Sequence, residues 1–118
     1  MDLRSLGNKG ERIAADFLKK KDYQIIAKQY RTRVGEIDLV AKDGEEVVFV
    51  EVKTITTKSF GHPEESVTEK KLMHIARTAE LFLKEHAWEE KPFRIDVIAI
   101  FLDGESVEIE HFESVDMS

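Results

Sequence analysis

The sequence predicts an α/β domain: a central mixed five-stranded sheet flanked by helices, in the order α-β-β-β-α-β-β. Three observations carry this. Two segments repeat apolar residues at helical spacing, five segments are rich in strand formers, and two Asp-Gly pairs stand where hairpins would turn. At 118 residues the chain has the length of one domain, taken as 1–118.

The elements follow in order. Asn8 with Glu11 three residues later is a capping pair for a first helix, in which Ile13, Ala14, Phe17 and Leu18 hold one stripe. Glu11 sits at the edge of that stripe. Tyr23–Arg31 reads as a strand through Tyr23, Ile25, Ile26 and Tyr30. Glu36–Lys42 and Val47–Thr54 form a hairpin about Asp43-Gly44. Ile55–Pro63 reads as a loop, and a long helix spans roughly Glu64–His86, with Leu72, Ile75, Ala79, Phe82 and Leu83 on one face. After Pro92, strands Phe93–Leu102 and Ser106–Phe112 turn at Asp103-Gly104.

A composition of 42% hydrophobic and 36% charged residues is a globular balance, too apolar for wholesale disorder. The absence of cysteine excludes disulfides, thiolate zinc sites and cysteine nucleophiles. With no long apolar run and no secretion-like end, the expected setting is cytoplasmic with no membrane partner. Net charge is −6, but residues 1–35 carry nine Lys/Arg against four Asp/Glu, whereas residues 92–118 carry one against seven. A basic amino-terminal third is compatible with a phosphate-binding face, because charges separated by more than about 10 Å are screened at moderate salt.

Strand periodicity locates the chemistry. Glu36, Asp38 and Val40 share one strand face; Val47, Phe49, Glu51 and Lys53 share one face of the next. A register pairing 42 with 45 puts Asp38 diagonal to Glu51, and one pairing 42 with 47 puts them directly opposite. Either way Asp38, Glu51 and Lys53 fall on the same face, about 5–8 Å apart across the ladder. Two carboxylates that close repel, which a divalent cation relieves; oxygen donors without Cys or clustered His favour magnesium or manganese. Lys53 can balance the remaining charge, orient an attacking water or stabilise a developing oxyanion. The substrate that suits such a site is a phosphodiester. Acid-x-Lys alone is common on solvated strands; Asp38 on the neighbouring strand and Glu11 on the helix make the set more specific.

Asp38, a gap of twelve residues, and Glu51-Val52-Lys53 resemble the D…(D/E)xK signature of the restriction-endonuclease-like superfamily, which includes archaeal Holliday-junction resolvases. More closely, the chain is similar to the uncharacterised bacterial YraN-like family. The segments that carry this are Gly7-x-x-Gly10-Glu11-x-x-Ala14, Gly35-Glu36-Ile37-Asp38-Leu39-Val40, Phe49-Val50-Glu51-Val52-Lys53-Thr54, Phe60-Gly61, Val67 with Lys71, and Arg94-x-Asp96-Val97. The resemblance implies a restriction-endonuclease-like fold, Asp38 and Glu51 as metal ligands, Lys53 as the catalytic lysine and Glu11 as a further acid at the metal. Ile55 stands where the family pattern suggests an arginine.

The expected function is a magnesium-dependent nuclease acting on DNA, on branched or damaged structures. The alternative is a catalytically weak or inactive nucleic-acid- or protein-binding module that keeps the fold. Nucleic-acid contacts are expected from Arg12, Lys28, Arg31, Arg33 and Lys71, with the acidic carboxy-terminal hairpin facing away. Arg94 and Asp96, two apart on a strand, read as an internal ion pair, and His86 as a core-edge residue. Met73 and Leu81 lie off the main apolar face and offer a contact for a homodimer.

Overall fold

The structure, a computed structural model, describes residues 2–56 and 67–115, without the side chain of Leu3. The expected loop over 57–63, the helix start at Glu64 and the motif residues Phe60 and Gly61 lie outside the described residues. Seven elements follow the expected order: α1 (Leu3–Lys20), β1 (Gln24–Arg31), β2 (Glu36–Asp43), β3 (Glu46–Ile55), α2 (Glu69–Glu85), β4 (Phe93–Asp103) and β5 (Ser106–Phe112). The five strands form one mixed sheet in sequence order, antiparallel except for the parallel β3–β4 pair that α2 connects.

One helix covers each face. Leu72, Ile75, Ala79, Phe82 and Leu83 of α2 pack on Val40, Val47, Phe49, Ile95 and Val97. Ala14, Ala15 and Leu18 of α1 pack on Leu39, Ala41, Val48, Val50, Ile98 and Ile100. Burial on both faces explains why β3 and β4 read as near-continuous apolar runs, Val47–Val50 and Val97–Ile100.

Two helix starts differ from expectation. α1 begins five residues before Asn8, capped by Asp2, whose Oδ1 accepts from the Ser5 amide at 2.8 Å. Asn8 and Glu11 therefore sit inside the helix, one turn apart, where their polar groups face β1 instead of the helix end. α2 begins at Glu69, because Thr68 holds an extended conformation (φ −69°, ψ 162°) and its hydroxyl accepts from the Lys71 amide. His86 follows α2 as its cap residue and is exposed, although its ring stacks on Phe82 with centroids 4.0 Å apart.

The β2–β3 hairpin closes through Gly44 and Glu45, with Asp43 opposite Glu46 and Leu39 opposite Val50. This is the register that puts Asp38 opposite Glu51. Gly44 at φ +63° supplies the left-handed turn conformation. Gly10 allows the other close approach: a Cβ there would lie 1.9 Å from Thr54 Oγ1, so only glycine lets α1 sit this close to β3. The acidic β5 and the basic β1 occupy opposite edges of the sheet. Four strand spacings, about 19 Å, separate them, roughly twice the screening length at moderate salt.

Candidate functional site

The β2–β3 ladder ends at Leu39↔Val50, and beyond it the amide of Val52 donates to Asp38 Oδ2 at 2.7 Å. The Asp38 carboxylate thus lies between the two strands at the point where they part. Burial, reinforced by the charge of Glu51 and opposed by the Val52 hydrogen bond, pushes its pKa up to about 7. Glu11 and Glu36 add smaller repulsions of the same sign.

Glu51 is one residue beyond the last position that β3 pairs with β2, with its side chain 11% exposed, and Lys71 Nζ of α2 approaches its Oε1 to 3.2 Å. Lys53 follows on the same side of β3. Burial and the adjacent Lys71 ammonium lower its pKa, against the pull of Glu51 and Asp38. For Lys71 burial acts downward, but Glu51 and Lys53 outweigh it and raise its pKa. Two lysines and two carboxylates therefore share one half-buried cluster in which Lys71 holds its proton more firmly than Lys53.

Glu11 lies on α1 one residue beyond the Gly10 contact with Thr54, near enough for its charge to act on Asp38 and Glu51. Its carboxylate does not close a three-acid group with them, the one such acid and histidine group among the described residues being Asp96, His111 and Glu113. The Glu11 pKa is raised, mainly by burial, while the Gln29 side-chain amide opposes the shift by donating to Oε1 at 3.2 Å. The same Gln29 nitrogen donates to Asn8 Oδ1 at 3.1 Å. Gln29 was not singled out from the sequence, where a glutamine in a strand reads as an exposed polar residue. Its backbone lies at φ +50°, a left-handed conformation that nothing in its residue type announces.

The expected basic contacts divide. Lys71 lies in the cluster, and Arg31 lines a groove beside Glu11 while pairing with Glu36 at 3.1 Å. Arg12, Lys28 and Arg33 are exposed and make no ion pair among the described residues.

Asp96 and Arg94 belong to a separate network. Asp96 is fully buried and accepts from Arg94 Nε at 3.0 Å, from the Ser114 amide at 2.9 Å and pairs with His111 Nε2 at 2.7 Å. Burial alone would raise the Asp96 pKa, but His111, Arg94 and the Ser114 amide together hold it below the usual carboxylate value. Arg94 also reaches Glu46 and the Tyr23 hydroxyl. Asp96, His111 and Glu113 are close enough to share a cation, but the Arg94 guanidinium already bonds both Asp96 and Glu113. This is the internal ion pair expected from the strand spacing, extended into a strut that ties the residues after β5 to the sheet.

The family model for the uncharacterised protein family UPF0102 matches residues 10–100, most of the chain and all of the site except the first turns of α1. The chain belongs to this family. A UPF0102 protein of Caldicellulosiruptor bescii is 46% identical over 107 residues, covering 90% of each chain. A UPF0102 protein of Geobacter metallireducens is 42% identical over 108 residues, covering 92% of this chain and 88% of its own. One from Caldicellulosiruptor saccharolyticus is 41% identical over 103 residues, covering 87% of each. These UPF0102 proteins match over nearly their whole length. No helix among the described residues is long and apolar enough to cross a membrane.

Proposed function

We propose that this UPF0102 protein is a metal-dependent nuclease that hydrolyses a phosphodiester of DNA at the Asp38–Glu51–Lys53 cluster. The observation that carries this reading is the meeting of Asp38, Glu51 and two lysines where β2 and β3 part, with the Val52 amide on Asp38 at 2.7 Å and Lys71 Nζ on Glu51 at 3.2 Å. Carboxylates crowded this way, all hard oxygen donors with no sulfur among them, fit magnesium or manganese. Asp38 and Glu51 would hold the ion, which when bound supplies charge neutralisation at the phosphoryl oxygens, with Glu11 adding negative charge from α1. The restriction-endonuclease-like relationship suggested by Asp38 and Glu51-x-Lys53 belongs to the same proposal.

The chain's own groups then divide the work. Lys71, the lysine with the raised pKa, remains an ammonium and offsets negative charge on Glu51 and on an incoming phosphate. Lys53, whose pKa burial and the adjacent Lys71 lower, sits on the strand that carries Glu51 and would stabilise the charge developing on the scissile phosphate. Water supplies the new P–O bond as the bond to the leaving oxygen breaks, and the proton released by that water balances the one the leaving group gains.

One observation favours a second reading, a nucleic-acid-binding module without turnover. Lys71 neutralises Glu51 directly at 3.2 Å, so the acidic cluster is partly balanced by the chain itself. An assay over linear, nicked, flapped and four-way DNA with magnesium or manganese separates the two. Cleavage lost in Glu51→Gln supports the nuclease, whereas binding without cleavage supports the module.

A further inference from the structure

Beside the acidic cluster, α1 and β1 enclose a groove of about 350 Å³ lined by Arg4, Gly7, Asn8, Glu11, Gln29 and Arg31. Two of its residues stand at a cost that packing does not explain. Gly7 lies inside α1, where glycine is less favourable than alanine, yet a Cβ there would meet nothing within 4 Å. This contrasts with Gly10, whose missing Cβ admits Thr54. Gln29 holds a left-handed backbone conformation that a glutamine rarely adopts, and thereby turns its amide onto Asn8 and Glu11. Both features act on the groove: one keeps it open and the other furnishes it.

We propose that this groove takes one unpaired nucleotide of the nucleic acid, next to the phosphate presented to Asp38 and Glu51. The inference rests on the nuclease reading and adds the substrate subsite to it. Gln29 Nε2 is committed to Asn8 Oδ1 and Glu11 Oε1, while the Gln29 carbonyl oxygen and the Asn8 amide nitrogen make no hydrogen bond among the described residues and are free to meet a ligand at this groove. An acceptor beside a donor complements the Watson–Crick edge of any base, which is accessible only when the base is unpaired. Arg4 and Arg31 provide cationic character at the groove. The Arg31 pair with Glu36 has both side chains more than half exposed (64% and 62%), weak enough for a phosphate to displace. The volume lies near the lower limit of ligand clefts, about 300 Å³, a size that suits one nucleotide.

The test uses Gly7→Leu, which fills the groove where the backbone has room for a side chain, and Gln29→Gly, which removes the amide and relieves the backbone. Thermal melts establish that both fold. Cleavage of a flapped DNA is compared with cleavage of the same DNA carrying an abasic site at each position flanking the cut. Anisotropy of the labelled flap without metal, at low salt, gives binding independently of turnover. For wild type, one abasic position should reduce cleavage and binding about five- to tenfold, the scale of one or two base-edge hydrogen bonds. Both variants should lose a similar factor on intact DNA and become indifferent to that abasic site. Variants that bind and cut as wild type does, with the same abasic sensitivity, overturn the groove assignment and leave the nuclease reading standing. Groove-dependent binding without cleavage by wild type supports the subsite while the nuclease reading fails, and no binding by wild type overturns both.

Discussion

The Val52 amide donates to the Asp38 carboxylate across 2.7 Å, at the point where β2 and β3 stop pairing. A half-buried acid is thus held between two strands by a backbone donor while Glu51 repels it. The hydrogen bond fixes its position, and burial together with the repulsion keeps its proton affinity high.

This gives the first prediction, a pH dependence of stability. The folded Asp38 pKa, about 7, lies above its ordinary value of 3.8. Its contribution is therefore fully present below pH 3.8 and is lost as pH rises through 7. The difference corresponds to roughly 4 kcal/mol as an upper bound, reduced by solvent and by local relaxation. Asp38→Asn, which retains an oxygen for the Val52 amide, should be more stable than wild type at pH 8 by about 1–3 kcal/mol. The two should converge near pH 4. Urea unfolding at both pH values checks this, and equal stability at pH 8 would remove the argument for a strained carboxylate.

Magnesium should act on the same strain. A ligand that binds only the folded chain raises stability by about 2.7 kcal/mol at a hundredfold excess over its dissociation constant. The melting temperature at pH 8 should rise with magnesium in wild type and respond much less in Asp38→Asn or Glu51→Gln. Titration calorimetry should show the same loss of heat, and an identical response in all three would place any metal elsewhere.

Gly10 and Gly7 should give substitutions of opposite sign. Gly10→Ala drives a Cβ against Thr54 Oγ1 and should cost about 1–3 kcal/mol, exceeding the roughly 1 kcal/mol that alanine gains over glycine in a helix. Gly7→Ala meets no neighbour and should gain up to about 1 kcal/mol. Thr54→Ala should recover part of the Gly10→Ala loss. Chemical denaturation of Gly7→Ala, Gly10→Ala, Thr54→Ala and the Gly10→Ala/Thr54→Ala double variant decides it, and equal effects of Gly7→Ala and Gly10→Ala would contradict the close approach of α1 to β3.

The sites where sequence reasoning succeeded and failed divide along physical lines. Side-chain alternation grouped Asp38 with Glu51 and Lys53 before the hairpin turn was known; β2 departs from that alternation beside Asp38, where Ile37 packs with Val40 under α2 and not with Leu39 and Ala41 under α1. The Asp-Gly pairs marked both hairpins because a left-handed turn residue has few alternatives to glycine. Asn8 and Glu11 misled, because an Asn followed three residues later by Glu is a capping pattern; the same one-turn spacing instead presents both side chains to Gln29. Gln29 was illegible because its φ of +50° is imposed by the surroundings. Thr68 likewise took the cap of α2 from an earlier expected start.

The Arg94–Asp96 strut supplies a stability prediction remote from the site. Arg94→Met leaves Asp96, fully buried, without its guanidinium. Breaking one side of a buried pair typically costs about 3–5 kcal/mol. The folded Asp96 pKa is depressed, so the stability it contributes is present above pH 3.8 and falls away as acid protonates the folded group. Arg94→Met should therefore lose most at neutral pH and least in acid. A loss independent of pH would assign Arg94 a packing role only.

The most direct measurement of the central claim is single-turnover cleavage of end-labelled flapped or four-way DNA at pH 8 with magnesium, by wild type, Glu51→Gln and Lys53→Ala. Wild type should cut the DNA, and each variant should be slower by about 100-fold or more, the scale of losing one charge-stabilising group. Cleavage that survives Glu51→Gln, or a wild type that leaves every DNA intact with both magnesium and manganese, would contradict it.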